Sequence, residues 1–311
     1  MSSATATRRR WLDVARLVFL GLVLAFAWWG LRDRTDEVVE ALTATPAWRV
    51  ALSSVLVVCG IAVTSTAWLR LLAAYGRELP PGEGRAVFFV GQLGKYIPGA
   101  VWSMGAHAEL ARRHLVPVRT TVSTSLVFLG VNLATATLVA SSAALVGASS
   151  VDAPRWVLVA LLVAGVAGLS PRAVNLCGSL LSGQDRLELT HGAVARVVTL
   201  QAATWACYAG AMLLLAPDPS PRLFAVAAGA FATAYAVGVL VVMAPAGLGA
   251  RDVTLIALLA PVTGLTSATA IALLTRVLHT GGDLGLALVA WSWARLRRKP
   301  AMVDSPGPLR L

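Results

Sequence analysis

Four windows of this chain, residues 50–69, 120–151, 197–217 and 223–250, contain no Asp, Glu, Lys or Arg. A helix needs about 20 apolar residues to cross the hydrocarbon core of a bilayer, and each window is long enough. The expectation is an all-α polytopic membrane protein. Composition agrees, since 57% of residues are hydrophobic and 13% charged, outside the range of soluble globular domains. One transmembrane domain is expected over 11–298, between a basic N-terminal stretch (1–10) and a Pro- and Ser-containing tail (299–311). The longest expected connection, 172–196, leaves no room for a soluble catalytic unit.

The net charge of +11 does not point to nucleic acid. Its basic residues stand in short loops and at the two ends, the pattern of a positive-inside topology facing anionic lipid. Cys59, Cys177 and Cys207 are far apart, with no CxxC and no paired histidines, so neither a disulfide framework nor a metal site is expected. No cofactor motif occurs.

Orientation follows from the arginines. Arg8, Arg9, Arg10 and Arg16 precede a first apolar run, Leu17 to Leu31, and hold the N-terminus in the cytoplasm. This run is expected to be a retained span, because no clear small-residue cleavage site follows it. The acidic segment from Arg32 to Trp48 is expected as an outer loop. Further spans are expected at 49–74, 121–147, 155–171, 197–216, 222–243 and 267–294, with 172–196 a cytoplasmic connection. The closing Arg295, Arg297, Arg298 and Lys299 place the C-terminus in the cytoplasm of a plasma-membrane protein. The total is about 7–8 transmembrane helices plus one or two re-entrant hairpins.

The first hairpin is expected at 86–106, around GQLGKYIPGAVW (91–102). Basic clusters flank it on both sides, Arg70, Arg77 and Arg85 before it and Arg112, Arg113 and Arg119 after it. If both clusters face the cytoplasm, the segment must enter and turn back, breaking at Pro98-Gly99. Irregular backbone at membrane depth is tolerated only when buried in protein or lining a polar cavity. A fainter echo, Val237-Gly-Val-Leu before Pro245, suggests a counterpart, and paired interrupted segments point to a transporter's central site.

Three groups of residues could act on a ligand. Lys95 and Tyr96 stand beside Pro98-Gly99 and Trp102, where an ammonium and free backbone N–H groups suit an anion such as a lipid phosphate. Pro245, Gly247, Gly249, Arg251 and Asp252 break one helix and open another, which is too short to span. Arg276, His279 and Asp283 share one face of the last helix, next to Gly281-Gly282, which would loosen it. Three ionisable groups on an apolar helix are costly unless they are paired or line a polar path. Glu109 is expected to pair with Arg112 or Arg113, Asn132 and Gln201 to bond between helices, and His107 and His114 to lie at the interface.

GQLGKYIPGAVW, the later PAGLGARD (245–252) and an Arg in the closing helix resemble the membrane domain of lysylphosphatidylglycerol synthase, and the stand-alone flippase-like proteins built from it. The resemblance runs from about residue 10 to 298. Two departures stand out: these 311 residues contain no aminoacyl transferase domain, so lipid lysylation is not expected of them, and Asp252 replaces a usual Glu. The resemblance implies translocation of a phosphate-bearing lipid, such as an aminoacyl-phospholipid or a polyprenyl-phosphate-linked glycolipid, rather than catalysis. In that reading Lys95, Arg251 and Arg276 neutralise the phosphate. Two alternatives are a polyprenyl-phosphate-dependent glycosyltransferase using Asp33, Asp36 or Glu37, and a non-transporting partner of a cell-envelope biosynthesis enzyme.

Overall fold

The computed structural model describes residues 18, 21, 22, 25, 28, 35–97, 101–149, 151, 153–183, 188–240 and 249–296. Every regular element among them is a helix. In chain order these are α1 (Thr35–Ala44), α2 (Ala47–Ala74), α3 (Pro81–Gln92), a 3₁₀ turn (Leu93–Tyr96), α4 (Val101–Arg112), α5 (Val118–Leu145), α6 (Arg155–Gly168), α7 (Pro171–Ser182), α8 (His191–Leu215), α9 (Pro221–Leu240), α10 (Ala250–Thr263) and α11 (Leu265–Leu296).

Among the described residues four helices, α2, α5, α8 and α9, are long and apolar enough to cross a membrane. A fifth crossing results if α6 and α7, bent by 63° at their junction, act as one. Pro starts α2, α3, α5, α6, α7 and α9 at or just before the first helical position, where its fixed φ suits a helix and its missing N–H would be unpaired anyway. Apolar side chains cover the outside: Val159, Val163 and Val166 of α6 are 47%, 59% and 59% exposed. Such a surface is suited to hydrocarbon and not to water. Trp48, Trp156 and Trp291, near helix ends, are exposed as well, as interfacial aromatics should be.

The structure departs from the sequence-based expectations in four places. The acidic segment expected as an outer loop contains helix α1, which rests on α11. The expected span at 155–171 stops at Gly168 after 14 residues, or about 21 Å at 1.5 Å per residue, and the expected connection after it holds α7. The last helix runs unbroken through Gly281-Gly282, so these glycines do not loosen it. Gly282 instead lets α11 pack tightly on α2, since a Cβ there would stand 3.1 Å from Ile61 Cδ1. Finally, His107 is buried, not interfacial.

The segment around GQLGKYIPGAVW folds as a hairpin of two 12-residue helices, α3 and α4. His114 Nδ1 meets Glu83 Oε2 at 2.9 Å, the His107 ring stacks on Phe88 with centroids 5.6 Å apart, and Gly94 backs onto the Ser103 backbone. These pairs straddle residues 98–99 symmetrically, so the arms run antiparallel and their feet meet. Glycine makes the close approach possible: a Cβ on Gly91 would lie 2.0 Å from the His107 ring, and one on Gly94 would lie 2.5 Å from Ser103 N. Pro98 and Gly99 themselves lie outside the described residues, as do Pro245, Gly247 and most of the first apolar run.

Three apolar clusters build the interior, and two of them meet at the site. One gathers Trp205, Met212, Phe231, Leu259 and Ile271 from α8 to α11. The other joins Trp68 of α2 to Phe88, Phe89 and Tyr96 of the hairpin. Tyr208 and Leu278 pack against both, and at this seam a cavity opens.

Candidate functional site

The cavity has a volume of about 280 Å³. This is near the lower end of pockets that take small molecules, roughly 300–1,000 Å³, and suits a headgroup rather than a whole lipid. Its charged wall is assembled from two interruptions of helical structure and one unbroken helix. The 3₁₀ turn at the tip of the hairpin brings Lys95 and Tyr96, the start of α10 brings Arg251 and Asp252, and α11 brings Thr275, Arg276, His279, Thr280 and Asp283. Members of all three groups singled out in the sequence thus line one cavity: Lys95 and Tyr96, Arg251 and Asp252, and Arg276, His279 and Asp283.

Local backbone explains how each charge arrives. After Gln92 the chain tightens from α-helix to 3₁₀, a geometry common at helix ends, and this turn carries Lys95 and Tyr96. The second group depends on Gly249, whose φ of +83° is a left-handed conformation that glycine adopts without steric cost. Asp252 Oδ2 accepts a hydrogen bond from the Gly249 N–H at 3.3 Å, so it caps the N-terminus of α10. There a negative charge is favoured by unpaired N–H groups and the helix dipole. The third group follows helical spacing, since Thr275, His279 and Asp283 lie four residues apart on one stripe of α11.

The charges form an incomplete network. Asp283, 4% exposed, accepts from Lys95 Nζ at 2.6 Å and from the Tyr96 hydroxyl at 2.7 Å. Arg276 donates to Asp252 Oδ2, so this carboxylate links two helices while capping one. Arg251 has no carboxylate partner among the described residues. Its guanidinium lies 4.6 Å from the centroid of the Phe231 ring, a cation–π contact that holds it without neutralising it. With three cations against two carboxylates, the cavity carries one surplus positive charge. An anion entering it would find Arg251 available and the other two cations held by carboxylates it could displace. No protein-family model matches the chain, and neither does any curated protein.

The remaining wall is aromatic and hydroxylated. Tyr208, Tyr235 and Phe231 line it beside Gln92, Asn132 and Ser125. Gln201 donates to Asn132 Oδ1, so these two amides bond α8 to α5, as expected for interhelical polar residues. Glu109 pairs with Arg112 at 3.1 Å, away from the cavity. Trp102 is 51% exposed and is not part of the cavity wall. Asp36 is exposed on α1 and also lies outside the wall.

Sequence reasoning missed Tyr208, Tyr235 and Thr275. Each left a signal: the two tyrosines put hydroxyls in the middle of uncharged windows, and Thr275 precedes His279 by one helical turn. Gln92 and Ser125 left none, because short polar residues in spans more often bond their own helix than a ligand.

Proposed function

We propose that this protein moves a phosphate-bearing lipid between the leaflets of the cytoplasmic membrane. The cavity takes the headgroup while the acyl chains remain in the bilayer. The observation that carries this reading is the convergence of Lys95, Arg251 and Arg276 in one cavity with a surplus positive charge. Taking an unpaired phosphate through hydrocarbon costs many kcal/mol, and a translocation path must supply its counter-charge along the way. Lys95 and Arg276 exchange their carboxylate partners for phosphate oxygens when the headgroup arrives, and recover them when it leaves. Asp283 and Asp252 keep the empty site stable and keep the ligand from binding too tightly to be released. The resemblance to the lysylphosphatidylglycerol synthase membrane domain points the same way.

In this reading the α3–α4 hairpin is re-entrant, with its feet on the cytoplasmic side, both chain termini are cytoplasmic, and about seven or eight helices cross in all. The two 12-residue arms are each about 18 Å long, which takes the tip with Lys95 to mid-membrane from one side.

The test is reconstitution into liposomes carrying a tail-labelled anionic phospholipid in both leaflets, with a membrane-impermeant quencher outside. Protein-dependent quenching of the inner-leaflet label is expected, slowed at least tenfold in Arg276→Ala. Quenching no faster than in protein-free liposomes, across several phosphodiester headgroups, would refute the proposal. Unchanged rates in the Lys95→Ala and Arg276→Ala variants would refute the site and spare the function.

A further inference from the structure

Two buried polar atoms of cavity-lining residues have no hydrogen-bond partner. His279 is 9% exposed, and its Nδ1 stands 2.8 Å from the carbonyl oxygen of Thr275. A carbonyl only accepts, so Nδ1 carries the proton and donates. In the neutral ring Nε2 is then a bare acceptor, and it has no hydrogen-bond partner. The Thr275 hydroxyl one turn earlier, 2% exposed, has none either. Both residues line the cavity. A buried polar atom without a partner is costly in a folded protein and asks for an explanation, and a ligand supplies one.

The ring cannot turn away from this task. It is packed edge-on to Tyr208 with centroids 4.6 Å apart and stacked on Phe231 at 5.4 Å. Phe231 is the same ring that holds Arg251 at 4.6 Å. The imidazole acceptor and the cation lacking a carboxylate are therefore held against one aromatic ring in the cavity wall. Arg251 and Asp252 of α10, Lys95 and Tyr96 of the 3₁₀ turn, Tyr208 of α8, and Arg276 and Asp283 of its own helix share the cavity wall with His279.

We infer that His279 Nε2, with the Thr275 hydroxyl beside it, selects the ligand by accepting a hydrogen bond from a hydroxyl or N–H on the group attached to the phosphate. This rests on the phosphate reading of the site and deepens it. The preferred ligand class is a phosphodiester whose headgroup carries donors, such as a polyol or a primary amine. A headgroup with no donor leaves Nε2 buried and unpaired. Sites built to hydrogen-bond a substrate group reject analogues lacking it, and one unsatisfied buried acceptor corresponds to a discrimination of about tenfold or more.

Two anionic lipids isolate the effect. Phosphatidylglycerol and phosphatidylmethanol carry the same phosphodiester charge, and only the first has headgroup hydroxyls. Equilibrium binding of each to the detergent-solubilised protein is expected to favour phosphatidylglycerol by about tenfold. His279→Phe should reduce the preference to near unity, and His279→Gln, which places an amide oxygen near the position of Nε2, should restore part of it. Equal binding of the two lipids by the wild-type protein overturns the inference, as does an undiminished preference in His279→Phe. Glycerophosphoglycerol, the free headgroup, serves as a soluble competitor: displacement of the lipid by it at similar concentration assigns the selectivity to a soluble anion instead, and overturns the lipid form of the inference. Flipping of the same two lipids in liposomes is scored separately. Selective binding without flipping would refute transport while sustaining the role of His279.

Discussion

Asp283 is the one carboxylate that serves two partners on the hairpin, and the structure ranks them in an order opposite to what charge alone suggests. Asp283→Leu removes the acceptor of both Lys95 Nζ and the Tyr96 hydroxyl. The Lys95 side chain is 37% exposed, so it recovers hydration when its partner goes. Its share falls near the ~0–1 kcal/mol of exposed ion pairs, not the ~3–5 kcal/mol of a fully buried pair broken on one side. Tyr96 is 5% exposed and has no such recourse to water. An unsatisfied buried hydroxyl costs about 1–3 kcal/mol, and Thr280 beside the same hydroxyl offers a fallback that keeps the value in the lower half of that range. Asp283→Leu should therefore destabilise by about 2 kcal/mol, with most of it carried by the phenol. Asp283→Asn, which keeps an acceptor for Tyr96, should cost less than half as much. Double-mutant cycles with Lys95→Met and Tyr96→Phe, read by reversible unfolding in mixed micelles, separate the two couplings. A Lys95–Asp283 coupling larger than the Tyr96–Asp283 coupling would refute the reasoning, as would additivity of both pairs within about 0.5 kcal/mol.

Four further outcomes are expected. Gly91→Ala should destabilise by about 1–3 kcal/mol, because the new methyl meets a His107 ring held by Phe88 O at 3.1 Å. Gly105→Ala, with no atom within 4 Å of the new Cβ, should be tolerated in the same unfolding assay. Arg251→Ala should weaken binding of an anionic phospholipid by about 10- to 100-fold, the worth of one charge-assisted hydrogen bond, with little change in thermal stability because no carboxylate is orphaned. Single cysteines at Arg85 and Arg113, both exposed at the feet of the hairpin, should react with a membrane-impermeant reagent from the same side in a cysteine-free background; reaction from opposite sides would remove the re-entrant hairpin.

Several features of the fold were legible because they depend on local chemistry. The expected spans at 49–74, 121–147, 197–216 and 222–243 end within six residues of the bounds of α2, α5, α8 and α9, since the length of an apolar run is fixed by what it must bury. The pairing of α3 with α4 was legible from two basic clusters and a Pro-Gly pair, both one-dimensional signals, although the two arms extend over 81–112 rather than the expected 86–106. Helix α1 was hidden by its charges, which read as a solvated loop, and its placement on α11 is a contact across more than 200 positions of sequence. The bend between α6 and α7 was hidden too, because Leu169-Ser170-Pro171 reads equally as the end of a span.

The sequence by itself determined the solvent, the helices and the charges that could not stand unpaired in an apolar interior. Composition and spacing suffice for these, because burial and helical periodicity act on neighbours along the chain. Only tertiary structure decided the partners: Lys95 with Asp283, Arg276 with Asp252, and Arg251 with an aromatic ring. It also left His279 Nε2 bare by spending Nδ1 on the Thr275 carbonyl. Which charge pairs with which, and which atom is left over, depends on distances between segments far apart in sequence, and those distances exist only once the helices have packed.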